Sequence, residues 1–199
     1  NLVLRQHLGQ HPVDPDLARD RFSGTSVVPG DHEHLDAEGV EAAHRFGGAR
    51  WVPPENYHLT LRFIGEVDNG RADDIDASLS GITARGFDLT LAGVGAFEAR
   101  GRANTLWVGV ERNPALEHLR AKVESAVVRA GCEPERRKFT PHVTLARLDN
   151  PDPVKLGEFL HTHGLFRAAP VPVERFTLYS SHLARDQAHY TAEADYALA

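Results

Sequence analysis

The chain has 199 residues, enough for one ordinary domain or for two small lobes sharing a core. Its 41% hydrophobic and 25% charged residues exclude disordered, collagenous and fibrous classes, and no apolar run approaches the roughly 20 residues of a bilayer crossing, so no membrane partner is expected. A formal net charge of −6 removes duplex binding through a broad basic surface and leaves a small or single-stranded phosphate ligand open.

In chain order, residues 1–21 mix His, Pro, Asp and Arg without a period of 2 or 3.6, and Pro12 and Pro15 punctuate them. They read as an irregular N-terminal extension to a single domain over 22–199. A short strand is expected at 22–29, then a helix through Leu35, Val40, Ala43 and Phe46 that Gly47-Gly48 stops. Residues 57–64 alternate and are rich in β-formers. Ile75, Leu79 and Ile82 mark a short amphipathic helix over 72–84, and 87–91 with 105–110 read as two strands of a meander. Pro114 opens a helix with the apolar stripe Leu116, Leu119, Val123 and Val127, ended at Gly131. A strand at 139–148, a helix at 154–163 and a hairpin of 171–181 with 189–197 complete the pattern. A strand, helix, strand order appears twice, around His58 and around His142, so the chain reads as internally duplicated.

The two strands so related contain His58-Leu59-Thr60-Leu61 and His142-Val143-Thr144-Leu145. On a strand, period 2 puts His and Thr on one face and the apolar pair on the other. About 0.6 His-x-Thr would arise by chance, and requiring both apolar positions cuts this to roughly 0.07, so two copies at matching places are a signal. Two imidazoles with ordinary pKa near 6.5, facing each other across a cleft, can act as general base and general acid in one displacement. Threonine hydroxyls beside them can donate to phosphate oxygens. That set suits in-line attack of water on a phosphodiester with departure of an alkoxide, with no metal and no cofactor.

These duplicated motifs, with Arg50-Trp51-Val52-Pro53-Pro54-Glu55-Asn56-Tyr57 before the first and Phe139-Thr140-Pro141 before the second, resemble the two-histidine phosphoesterase superfamily. Within it, the text is similar to the bacterial RNA 2′,3′-cyclic phosphodiesterases, also called 2′-5′ RNA ligases; Phe176 to Leu183 and Ala188 to Thr191 look like that family's closing hairpin. The resemblance runs from about residue 46 onward, and residues 22–29 would stand in for the family's opening strand. It implies an α+β fold, duplicated and bilobal, with two antiparallel sheets around a central cleft and helices outside. It also implies metal-free hydrolysis of RNA 2′,3′-cyclic phosphate ends to 2′-phosphomonoesters, with His58 as acid to the departing O3′ and His142 as base to water. The symmetry of the motifs leaves that direction open. By the same analogy Arg147 would lie near the phosphate and Phe63 would stack on the terminal base; Thr60 and Thr144 are the expected hydroxyl donors, and Arg62 is a further candidate for phosphate contact, with a solvated strand-edge position as its alternative. Arg147 is out of phase with His142 and Thr144 on an ideal strand and reaches the cleft only through a twist or a bulge.

RNA 3′ ends are the expected partners. The alternatives are small nucleotides such as ADP-ribose cyclic phosphate or 2′-5′ oligoadenylate, 2′-5′ RNA ligation at the same site, and a non-catalytic RNA-binding module. His32-Glu33-His34 and His161-Thr162-His163 read as surface features, and Arg136-Arg137-Lys138 is the one basic run, placed just before the second motif. A single cysteine, Cys132, and no export-signal pattern at residues 1–5 lead to the expectation of a cytoplasmic monomer.

Overall fold

The structure, a computed structural model, describes residues 2–6, 47–183 and 188–199. The strand expected at 22–29, the helix after it, and His32 and His34 lie outside the described residues. Within 1–21, however, Leu2–Gln6 is a regular strand, β1. The expectation of an irregular segment is corrected there by tertiary context, because β1 is hydrogen-bonded on both sides inside a sheet. A five-residue stretch carries too few repeats for its period to be read alone.

Among the described residues nine further strands follow: β2 (Ala49–Trp51), β3 (Leu59–Gly65), β4 (Phe87–Leu89), β5 (Leu91–Ala99), β6 (Arg102–Val110), β7 (His142–Leu148), β8 (Val171–Val173), β9 (Arg175–Leu183) and β10 (Ala188–Ala197). The large sheet runs β10-β9-β1-β3-β7-β6-β5, with β2 also paired to β7, and every pairing is antiparallel. It divides into two half-sheets, β10-β9-β1-β3 and β7-β6-β5, which meet through one residue pair among the described residues, Leu59 with Val143. The fold is therefore α+β with two antiparallel halves.

The expected meander is resolved differently. Phe87–Leu89 leaves the large sheet and pairs with Val171–Val173, whereas Leu91–Ala99, unread in the sequence because Gly93 and Gly95 dilute its β-formers, is the hairpin partner of β6. The hairpin turn, Arg100-Gly101, has φ of 54° and 73°, the positive values that a two-residue turn matching strand twist requires. Gly95 has a packing reason: a Cβ there would lie 2.3 Å from the Trp107 ring, which covers it. Gly95→Ala is expected to destabilise the protein by about 1–3 kcal/mol through overpacking, read as a lower midpoint in urea unfolding with an unchanged slope.

Helices α1 (Asn69–Ser80), α2 (Pro114–Arg129) and α3 (Pro153–Thr162) begin at side-chain caps: Asp68 accepts from the Arg71 amide, Asn113 from those of Ala115 and Leu116, and Asp152 from those of Val154 and Lys155. The stripe Leu116, Leu119, Val123 and Val127 is buried, as its spacing predicts. α2 packs on α1 and on β3, and α1 also touches β10. The core beneath them includes Leu59, Leu61, Leu106, Val108, Val143 and Phe176, all at most 2% exposed, and each fully buried apolar side chain is worth about 1.5–3 kcal/mol. Among the described residues no helix is long and apolar enough to cross a membrane.

Candidate active site

The join between the half-sheets is also where the two motifs meet. Leu59 pairs with Val143 in antiparallel register, so the residues on either side, His58 with Thr144 and Thr60 with His142, fall opposite each other. An antiparallel pair has a local two-fold axis, and here it exchanges His58-Leu59-Thr60 with His142-Val143-Thr144. The apolar partners Leu59 and Val143 are at most 2% exposed and anchor both strands in the core, which commits the alternate positions to the other face.

The two imidazoles are pinned in the same way. His58 Nδ1 lies 2.6 Å from the Asn56 carbonyl and His142 Nδ1 lies 2.6 Å from the Thr140 carbonyl. A carbonyl oxygen only accepts, so each Nδ1 carries the proton, and each Nε2 is the nitrogen left for chemistry. The local backbone supplies the acceptors: Pro54–Asn56 forms a 3-10 turn before β3, and Thr140-Pro141 leads into β7.

Both strands then bulge at the same place. Leu4 faces Arg62 while Arg5 faces Thr60, and Leu106 faces Ala146 while Trp107 faces Thr144, so Leu61 and Leu145 are extra residues in their strands. The bulge shifts the alternation by one. Leu61 and Arg62 are consecutively buried, as are Leu145 and Ala146, and Phe63 and Arg147 emerge exposed in phase with the motif His and Thr. Phe63 is 46% exposed, an unusual state for an aromatic on an interior strand of a sheet. Arg147 Nη1 donates to Thr105 Oγ1 at 2.8 Å. The bulge that Arg147 needed to reach the cleft is therefore present, and Phe63 and Arg147 hold equivalent positions in the two halves.

Arg62 is a correction. It was expected near the phosphate, but the same bulge sends it to the helix side of the sheet, where it is 7% exposed. Its Nε lies 2.9 Å from Glu124 Oε2, its Nη1 lies 3.8 Å from Glu135 Oε2, and its Nη2 donates to the Glu133 carbonyl. Glu135 remains an anion over nearly the whole pH range, because hydrogen bonds from the Arg137 side chain and amide hold its carboxyl down to about 2. Arg62 thus braces β3 against α2 and the segment leading to β7.

The surroundings of the two histidines differ. Phe97 on β5 meets the His142 ring edge-to-face, with centroids 4.8 Å apart, and Trp107 on β6 lies 6.3 Å away. Burial pushes the His142 imidazolium below its usual range; the Thr140 carbonyl opposes this, and the Arg147 charge adds to it. The Tyr190 ring sits 6.1 Å from His58. Phe97, Trp107, Thr105 and Tyr190 were not singled out from sequence, since their proximity depends on strand order; the paired glycines before Phe97 were the available signal. His163 stacks on Phe159 and contacts its carbonyl at the end of α3, a helix-terminal role. Lys138 of the basic run lines a groove with Arg112, Arg120 and Phe139 on the α2 side. Among the described residues no group of three or more His, Cys, Asp or Glu side chains converges on a metal-sized site.

A duplicated α+β fold that pairs two His-Thr motif strands at the join of its halves has the arrangement of the two-histidine phosphoesterase class. Residues 30–185 match the family described as the 2′-5′ RNA ligase superfamily, and the chain belongs to it. It is 36% identical over 123 residues to the RNA 2′,3′-cyclic phosphodiesterase of Geobacillus stearothermophilus, covering 57% of this chain and 39% of that protein. It is 41% identical over 107 residues to the enzyme of the same name from Aeropyrum pernix, covering 53% of this chain and 61% of that one. The chain therefore spans less than two thirds of the length of both relatives. The crystal structure of Escherichia coli LigT complexed with 3′-AMP superposes with a TM-score of 0.69 at 25% identity, covering 99% of this chain and 96% of that one.

Proposed function

We propose that this protein hydrolyses RNA 2′,3′-cyclic phosphate ends to 2′-phosphomonoesters by two-histidine acid-base catalysis. The observation that carries the reading is the matched pinning of the two Nδ1 atoms, which holds both imidazoles in one tautomer with Nε2 as the nitrogen for proton transfer. His142 Nε2 takes a proton from water as its oxygen attacks phosphorus in line with O3′; the P–O3′ bond breaks and His58 Nε2–H delivers a proton to O3′. Thr60 and Thr144 donate to the non-bridging oxygens, whose charge grows in the transition state. Phe63 offers an exposed face to the terminal base, and Arg147 adds a positive charge from the opposite half. Single-stranded RNA ends suit a chain of net charge −6, whose ligand is held at one small cleft rather than along a basic face. The relatives' names, RNA 2′,3′-cyclic phosphodiesterase, support the same substrate class.

Since two imidazoles complete the proton inventory, an oligonucleotide ending in a 2′,3′-cyclic phosphate is expected to be hydrolysed at an undiminished rate in excess chelator, with the 2′-phosphate as sole product. Loss of turnover in EDTA that a divalent ion restores would contradict the metal-free reaction. A mixture of 2′- and 3′-phosphates would contradict the assignment of O3′ as leaving group.

A further inference from the structure

We propose that Arg50 is a substrate-binding residue: with Arg147 it forms a guanidinium pair that takes the phosphodiester one linkage upstream of the cyclic end, which fits the site to an RNA strand rather than to a lone cyclic nucleotide. The inference rests on the two-histidine reading above and deepens it by naming the substrate class.

The pair follows from register. β2 lies alongside the far end of β7, with Ala49 opposite Leu148, Arg50 opposite Arg147 and Trp51 opposite Ala146. Directly opposed residues of an antiparallel pair point to the same side of the sheet, with Cα atoms about 4.5–5.5 Å apart. Ala49 and Trp51 pack against the core, and Ala146 and Leu148 are buried in it. Arg50 and Arg147 therefore share the other face, that of the motif histidines and threonines, and both are exposed there. The Val52 amide then donates to the Leu145 carbonyl at 2.8 Å, so the chain continues from Arg50 along β7 toward the place where His58 stands opposite Thr144. Arg50 with Arg147 thus forms one further row at the end of the motif pair.

Like charges placed directly opposite each other on a sheet repel, and an anion held between them removes that repulsion. Among the described residues neither guanidinium lies within ion-pair distance of a carboxylate. Thr105, 4% exposed and the partner of Arg147 on its other side, accepts from Arg147 Nη1 at 2.8 Å. That bond draws the Arg147 guanidinium toward β6 and away from β2, fixing one arm of the pair while Arg50 supplies the other. Guanidinium forks match the non-bridging oxygens of a phosphodiester. Arg147 stands three residues beyond Thr144, ~7–10 Å along a strand that spends one residue on its bulge, so the pair is placed for a second phosphate of the same strand. Two cations at one end of a cleft hold a single-stranded backbone without the broad basic surface that a chain of net charge −6 lacks.

The test compares an adenylyl dinucleotide ending in a 2′,3′-cyclic phosphate, which carries one upstream phosphodiester, with adenosine 2′,3′-cyclic phosphate, which carries none, in the wild type, Arg50→Gln and Arg50→Lys. The wild type is expected to favour the dinucleotide in kcat/KM. In Arg50→Gln that advantage falls by about tenfold, the loss of one charge-assisted contact, and the fall appears in KM rather than kcat; Arg50→Lys keeps part of it. The urea midpoint of Arg50→Gln is not lowered, since the change removes a like charge from an exposed position. An undiminished dinucleotide advantage in Arg50→Gln, or equal losses on both substrates, would overturn the proposal. Absence of wild-type turnover on both would instead overturn the reaction assigned to the site. Calorimetric binding of the dinucleotide 2′-phosphate and of adenosine 2′-phosphate would then still decide the pair: weaker binding of the dinucleotide alone in Arg50→Gln upholds it, and unchanged binding of both sinks it.

Discussion

His58→Ala and His142→Ala are each expected to lower kcat/KM on a cyclic-phosphate-terminated oligonucleotide by about 10²–10⁴, the usual contribution of a positioned general acid or base. Thr60→Ala and Thr144→Ala cost less, because each removes one of several donors to the same phosphate. The two histidine effects do not multiply in the double variant, since one proton-transfer step needs both partners and the second loss has little left to remove. Single-turnover rates measured alongside thermal melts separate chemistry from folding: both rings are only half-buried, so the melts stay close to wild type. Wild-type turnover by either single variant would remove two-histidine acid-base catalysis, whereas absence of turnover by the wild type would leave a binding module in its place.

The second large effect is on stability. Arg62→Met removes a buried cation while leaving Glu124 and Glu135 at 17% and 18% exposure with less compensation, and breaking a buried pair from one side costs about 3–5 kcal/mol. Arg120 remains 3.4 Å from Glu124 and Arg137 remains 2.6 Å from Glu135, which places the expected loss near the lower end, about 3 kcal/mol, in urea unfolding. Arg62→Lys retains the charge but not the planar fork that reaches Glu124, Glu135 and the Glu133 carbonyl, so it recovers only part of the loss. In folded protein well below the melting transition, KM stays at the wild-type value for both variants. A raised KM with intact stability would instead put Arg62 back at the phosphate, contrary to its geometry.

The contrast between Arg62 and Arg147 shows what the sequence could carry. Periodicity identified both motif strands and the apolar residues beneath them, because burial on one face imposes alternation that needs no tertiary information. It could not place Arg62, since a bulge at Leu61 reverses the phase of everything after it, and a bulge has no single-residue signature. The helix stripe of α2 was legible for the same reason as the strands. The aromatic neighbours of His142 were not: Phe97, Trp107 and His142 come from three strands, and their adjacency is a property of strand order. β1 was missed for the same cause, as its place in the sheet is set by partners far along the chain.

That placement of β1 has a kinetic consequence. Leu2–Gln6 is wedged between β3 and β9, pairing on one side with residues 59–65 and on the other with residues 176–180. During vectorial synthesis β5, β6 and β7 emerge in succession and can zip together through neighbouring contacts, whereas β1 waits for its second partner until β9 has left the ribosome. The half carrying His142 is thus the early-folding unit, and the half carrying His58 is completed later, by closure of the long loop between residues 6 and 176. Ribosome-bound fragments from which β7 has emerged but β9 has not would hold a structured β5-β6-β7 unit with β1 still lacking its outer neighbour.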